Sequence, residues 1–298
     1  MVSAGSKPIV GLVLGSGASR GWSHIGVVKA LVAAGVEPDV VCGTSVGAMV
    51  GAAYLTGNLQ KLEEWVFGTT RTDVLRFFDV RLGQSGFVDT KRFSAFLNDY
   101  VTGGEKRIEA LPKKFAAVST ALETGRETWL TEGDLAECVR ASMAMPGLFP
   151  AVRMDDRWLV DGGLVNPVPI SVCHALGADV VIAVNLNTGR LGQRASEMPK
   201  PPLAESNSML HTFRQQANAI LPSRDKGEEP PGLFHAITSS IAIFQDRITR
   251  SRLAGDPADV LLSPRVAKIG MLDFHRAGEA IEEGERCVNH ALDDIRLI

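Results

Sequence analysis

The sequence predicts an α/β fold with parallel strands, and two patterns carry that expectation. Pro8–Leu14, Trp22–Ala34, Val40–Cys42 and Met49–Leu55 alternate between short apolar runs and helical spacing, which reads strand, helix, strand, helix. A strand–helix–strand unit of this size implies parallel strands joined by a right-handed crossover. The same rhythm returns downstream, and the 298 residues are enough to bury a large core.

The elements follow in order. Pro8–Leu14 is an apolar run that ends in Gly15-Ser16-Gly17, a buried strand entering a glycine loop. Ile25, Val28, Leu31 and Val32 recur at helical spacing until Gly35 stops the helix. Val40-Val41-Cys42 is a second strand, and the helix through Met49–Leu55 closes at Gly57. Phe115–Val118, Trp158–Val160, Val180–Val184 and Val260–Leu262 read as further strands. Helical patterns fill Lys91–Tyr100, Leu135–Met143 and Phe274–Leu292. In Phe234–Arg252, the residues Phe234, Ile237, Ile241, Phe244 and Ile248 form one apolar stripe, expected to pack on the core or to close as part of a lid. The proline-rich, polar stretch Gly189–Pro231 reads as an insertion within a single domain spanning 8–292.

Composition narrows the function. A net charge of −3 and a pI near 6.1 give no basic field for nucleic acid, and one helical face accounts for Arg247, Arg250 and Arg252. Cys42, Cys138, Cys173 and Cys287 lie far apart with no Cys-x-x-Cys pair, which argues against a zinc site or a disulfide framework. No metal and no cofactor are expected. Ile9–Leu14 is interrupted by Gly11, and Val40–Gly57 is too broken for a lipid-facing span. The expected location is the cytoplasm, with at most peripheral membrane contact.

Gly43-Thr44-Ser45-Val46-Gly47 has the G-x-S-x-G pattern of a nucleophile elbow. A turn between strand and helix pushes the serine Oγ off the sheet, and the flanking glycines tolerate the strained backbone. The motif alone is weak, and a structural tight turn is the competing reading. Leu14-Gly15-Ser16-Gly17-Ala18-Ser19-Arg20-Gly21 departs from a dinucleotide fingerprint, with Arg20 where the last glycine belongs, and lacks the Gly-Lys of a P-loop. It reads either as a structural turn or as a nest of backbone N–H groups for an oxyanion. In a parallel β-α-β unit both strand ends lie on one sheet edge, so this loop and Ser45 are expected to be neighbours. For a base, none of His24, His174, His211, His235, His275 and His290 sits in a recognisable turn after a strand. Asp161 ends the run Trp158–Val160 before Gly162-Gly163, a carboxylate at a strand end or an ordinary Asp-Gly turn.

Taken together in this order, the loop ending Arg20-Gly21, the elbow Gly43–Gly47 and Asp161-Gly162-Gly163 resemble the patatin-like phospholipases of bacterial type. Arg140-Ala141-Ser142 with Pro146, Phe149 and Pro150, and then Asn166-Pro167-Val168-Pro169, extend the resemblance. It implies a three-layer α/β/α fold with a mainly parallel central sheet. It also implies calcium-independent hydrolysis of acyl esters, often lipids, by a Ser-Asp dyad without histidine. By position, Ser45 is then the nucleophile and Asp161 the base, with an oxyanion hole around Gly17 and Ala18 supported by Arg20. Where the family often has three consecutive glycines, this chain has Ser16-Gly17-Ala18, so two side chains stand where backbone approaches substrate. Two alternatives remain at this point: an α/β-hydrolase esterase with a Ser-Asp-His triad, and a non-enzymatic regulatory member.

Overall fold

The computed structural model describes residues 7–70, 90–105, 107–188 and 233–297. The stretch 189–231, expected to be an insertion or lid, lies outside them. Eight strands form one sheet: β1 (Val10–Leu14), β2 (Val40–Thr44), β3 (Lys114–Ala121), β4 (Glu127–Leu130), β5 (Val152–Met154), β6 (Arg157–Asp161), β7 (Val180–Val184) and β8 (Val260–Leu262). The order is β5-β6-β3-β2-β1-β7-β8, with β4 beside β3 off that path. From β3 to β8 all neighbours are parallel, whereas β4, β5 and β6 join antiparallel.

The helices α1 (Ser23–Ala33), α2 (Val46–Leu55), α3 (Leu59–Gly68), α4 (Thr90–Leu97), α5 (Leu135–Ser142), α6 (Ile170–Ala175), α7 (Leu233–Gly255) and α8 (Ala277–His290) cover the sheet. β1 and β2 are buried along their whole length, as strands covered on both faces must be. Their alternate residues feed two separate cores. Leu12, Leu14 and Val41 pack with residues of α1, α2 and α8, while Val13, Val40 and Cys42 pack with Ile170, Val172 and Cys173 of α6. This is the three-layer α/β/α arrangement with a mostly parallel sheet.

Strand pairing decides where the C-terminal strand ends meet. On β3, Val118 pairs with both Thr44 and Trp129, and Ser119 pairs with both Asp161 and Thr128. A strand residue has only two lateral neighbours, so β4 takes one edge of β3 and β2 and β6 share the other. β2 runs parallel to β3 and β6 antiparallel, so they approach end to end. Thr44 and Asp161 therefore stand opposite consecutive residues of β3.

Helix α7 corrects two expectations. Ile237 and Phe244 are 42% and 60% exposed, while Gln245, Asp246 and Thr249 are buried with Ile241. The expected apolar stripe is thus packed at Ile241 but open at Ile237 and Phe244, and polar residues share the packed face. α7 lies over the turn that follows β6, where backbone groups need polar partners: Arg252 Nε donates to Val165 O at 2.9 Å. That contact also separates Arg252, paired with Glu127, from the exposed Arg247 and Arg250. Among the described residues no helix is long and apolar enough to cross a membrane.

Candidate active site

Ser45 is the N-cap of α2 and takes φ 59 and ψ −124, a conformation that costs a non-glycine residue about 1–3 kcal/mol. The strain is held by close packing on both sides. A methyl group on Gly47 would fall 2.0 Å from Leu14 O, and one on Gly21 would fall 2.1 Å from Val46 Cγ1. Glycine at both positions lets the first loop and the elbow sit directly on each other. Gly43 is similarly closed in by the backbone of Ala48. The Ser45 N–H donates to Ser142 Oγ at 2.9 Å, and Ser142 Oγ–H donates to Val118 O at 2.6 Å.

The loop Gly15–Gly21 is fixed from several directions. Gly15 N–H donates to Val184 O at 3.1 Å, Ser16 N–H to Pro167 O at 2.8 Å, and Ser19 N–H to Met271 O at 3.3 Å. Thr44 Oγ1 donates to Asn166 O at 2.8 Å, so the Asn166-Pro167 segment ties both loops together. Arg20 is buried; its Nε donates to Gly17 O at 3.2 Å and its NH1 to Leu186 O at 2.8 Å. After these bonds the N–H groups of Gly17 and Ala18 have no acceptor among the described residues. Ser16 is buried, whereas Ala18, at φ 51, lines the cavity in front of Ser45.

Asp161 is 1% exposed and receives the Ser45 Oγ–H on Oδ2 at 2.6 Å. Gly163 N–H donates to Oδ1 at 2.7 Å, and Thr120 Oγ1 donates to the Asp161 carbonyl at 2.9 Å. Burial pushes the Asp161 carboxyl up to about 6, against the opposing pull of the hydrogen bonds from Ser45 and Gly163. A methyl group on Gly162 would fall 2.1 Å from Val118 O, and one on Gly163 would fall 2.4 Å from Gln245 Nε2. The structure thus brings Ser45, Asp161 and the glycine loop together.

Three side chains at this site were not singled out from the sequence as part of it. His24 is fully buried, with Nε2 2.7 Å from Gly15 O, and burial lowers its pKa to about 4. The neutral ring therefore donates from Nε2 into the glycine loop. Ser142 holds the elbow backbone, and Gln245 reaches the Asp161 turn from α7. His24 follows Gly21 by less than one helical turn, a spacing that aims it back at the loop. Ser142 lies far away in the chain, within the Arg140-Ala141-Ser142 block of the resemblance, and Gln245 leaves no local signal.

In front of Ser45 opens a cavity with about 810 Å³ of empty space, including the open solvent at its mouth. Its walls are apolar, including Trp22, Met49, Trp65, Phe96, Leu148 and Phe149, and no described lining residue is charged. Trp65 and Phe96 pack with ring centroids 4.5 Å apart and stiffen one wall. A hydroxyl bonded to a carboxylate, a strained elbow at a helix N-terminus and two open backbone N–H groups are the parts that acyl transfer needs.

The patatin-like phospholipase profile matches residues 12–174, more than half of the chain. An uncharacterized NTE family protein of Mycobacterium tuberculosis is 30% identical over 342 residues, covering 99% of this chain and 94% of that protein. A lysophospholipase of Pyricularia oryzae is 28% identical over 284 residues, 92% of this chain but 18% of that protein. The neuropathy target esterase of Drosophila melanogaster is 34% identical over 186 residues, 60% of this chain and 13% of that protein. With the profile and a near full-length relative in agreement, the chain belongs to the patatin-like phospholipase family.

Proposed function

We propose that this protein hydrolyses acyl esters of lipids, with Ser45 as nucleophile and Asp161 as base. The observation that carries the reading is the 2.6 Å hydrogen bond from Ser45 Oγ to Asp161 Oδ2 at the floor of an apolar cavity. No described histidine bonds to either residue, which disfavours a Ser-Asp-His triad. The relatives that carry names of activities, a lysophospholipase and an esterase, support a lipid substrate and make lysophospholipids the first class to assay.

In the first step Ser45 Oγ bonds to the ester carbonyl carbon while its proton passes to Asp161 Oδ2. The carbonyl oxygen takes the negative charge against the N–H groups of Gly17 and Ala18. Collapse breaks the bond to the alcohol, which leaves with the proton from Asp161. Water then attacks the acyl-enzyme, Asp161 takes its proton, and Ser45 recovers it as the fatty acid departs. A carboxyl near 6 is a better base at neutral pH than an ordinary aspartate near ~3.9 and is still mostly ionised there. The test is labelling by a fluorophosphonate. The wild type should be labelled at Ser45, and Ser45→Ala should take up no label. Equal labelling of both would overturn the assignment.

A further inference from the structure

We infer that Gln245 is a positioning residue for Asp161, holding its side-chain amide over the carboxylate from α7; this rests on Asp161 being the base. Gln245 is 2% exposed, and its Nε2 has no hydrogen-bond acceptor. The site of a methyl group on Gly163 would be 2.4 Å from that Nε2 and 2.9 Å from Asp161 Oδ1. Donor and carboxylate therefore both border the place where Gly163 carries a hydrogen instead of a side chain, with no hydrogen bond between them in the resting structure. A buried amide without an acceptor is costly, and an apolar side chain of similar volume would be more stable there. A group kept at that cost is one whose partner arrives during the reaction.

The hydrogen-bond inventory of Asp161 says when. In the resting enzyme Oδ2 accepts from Ser45 and Oδ1 accepts from Gly163 N–H. Each carboxylate oxygen has two acceptor sites, so Oδ1 has room for a second donor. Once Ser45 is acylated its Oγ has no hydrogen left to donate, and the buried carboxylate keeps one donor out of two. Asp161 must nonetheless be ionised at that stage to accept the proton of water. A small shift of the Gln245 amide toward Oδ1 supplies the missing hydrogen bond when it is needed.

No charged group competes for this role. On α7, Asp246 Oδ2 lies 2.9 Å from Arg250 Nε, and Arg252 NH2 lies 2.7 Å from Glu127 Oε2 of β4. β3 presents Ser119 and Thr120, the elbow presents Ser45, and Arg140 of α5 pairs with Glu137. The ionisation of Asp161 is shifted by burial and by two hydrogen bonds, with no charged neighbour contributing.

Gln245→Leu tests this, with burst and steady-state kinetics on a p-nitrophenyl ester from acid to alkaline pH and a thermal melt. The melt should hold or rise, because an unpaired buried donor is removed. The acid limb of kcat should move up by about one pH unit, equivalent to ~tenfold in the ionised fraction. Deacylation should slow by a similar factor, so that acyl-enzyme accumulates, while acylation at alkaline pH stays within about threefold. Gln245→Glu, which sets a second carboxyl against the first, should move the limb further. Should Gln245→Leu fail to fold, Gln245→Met, nearer in shape and equally without a donor, carries the same test, and the same shift is expected. An acid limb and burst unchanged from wild type in the folded variants, with Asp161→Asn inactive, would overturn the inference and leave the base in place. Full activity of Asp161→Asn would instead remove the base reading itself.

Discussion

On the Ser45 side of the site, an added methyl at Gly47 meets the carbonyl of Leu14 at 2.0 Å, and backbone hydrogen bonds tie the loop to β7 and to Pro167. On the Asp161 side, an added methyl at Gly163 meets side-chain atoms, the Gln245 amide at 2.4 Å and Asp161 Oδ1 at 2.9 Å. Ser45 is held mostly by main chain, with the Ser142 hydroxyl on its N–H, whereas Asp161 is bordered partly by a side chain that reaches in from α7. Backbone walls do not yield, which suits a residue kept at φ 59. Side chains turn, which suits a carboxyl that, in the proposed mechanism, takes up and releases a proton twice in each turnover.

The largest expected effect comes from removing the proposed base. Asp161→Asn should lower kcat by about three orders of magnitude or more in an esterase assay while the protein stays folded. It should also be the more stable protein at neutral pH. The folded carboxyl titrates near 6 and the unfolded one near its ordinary value of 3.8, so between them the native state holds more protons. Wild-type stability therefore falls as pH rises through that window, and the asparagine variant is spared the loss. Chemical melts should show an advantage of roughly 1–3 kcal/mol at pH 7.5, vanishing below about pH 4. A variant less stable than wild type at pH 7.5 would mean that burial of the charge is not what shifts Asp161.

The glycine comparison gives the next effect. Gly47→Ala should cost about 3 kcal/mol or more, because neither Leu14 O nor the strand behind it can retreat. Gly163→Ala should cost less, about 1–2 kcal/mol, since it meets only side-chain atoms, of which the Gln245 amide can swing aside and Asp161 Oδ1 must give a little. Equal losses in urea melts would erase the distinction between the two halves.

A third comparison sets His24 against Asp161, two buried groups with opposite shifts. His24 is neutral in the fold with a pKa near 4, whereas the unfolded ring titrates at 6.5. As pH falls from 6.5 toward 4 the unfolded state takes up the proton first, so stability is lost on acidification. His24→Gln keeps a donor for Gly15 O and removes the titration. Relative to this variant, wild type should lose roughly 2–3 kcal/mol between pH 7 and pH 4. A constant difference across that range would exclude His24 as the cause of acid sensitivity.

How much of this was legible in the sequence follows the same division. Val180–Val184 and Val260–Leu262 are strands where continuous apolar runs predict them, because buried parallel strands carry that pattern. β4 and β5 escaped it: Glu127–Leu130 is mostly exposed or half-buried, and Val152–Met154 is three residues long. α3, with Leu62 and Val66 as its buried residues, also went unread. At the site, the Gly43–Gly47 elbow and the Gly15–Gly21 loop are local turns, whose residue types announce their backbone geometry. Asp161 drew notice through Asp-Gly-Gly, but the reason it can meet Ser45 is that β2 and β6 share one edge of β3. That pairing joins segments far apart in the chain. Ser142 is marked only by the Arg140-Ala141-Ser142 block of the resemblance, and Gln245 has no signature at all, since it meets the Asp161 turn through a tertiary contact.

The smallest expected effect sharpens the reading of α7. Phe244 is 60% exposed and Ile237 is 42% exposed, although their helical spacing with Ile241 predicts a buried stripe. Ile241, by contrast, is 7% exposed and packs with Met145 and Leu148. If the polar face of α7 is the packed one, Phe244→Ser should change stability by no more than about 0.5 kcal/mol, as surface substitutions do. Ile241→Ser, one turn away, removes buried apolar surface and adds a hydroxyl, and should cost about 2 kcal/mol or more. Thermal melts of the two variants side by side decide between the faces. A Phe244→Ser loss as large as that of Ile241→Ser would restore the apolar stripe to the core and turn Gln245 away from Asp161. The hydrogen-bond donor argued for the base would then be gone, so this near-silent substitution also checks the side-chain half of the site.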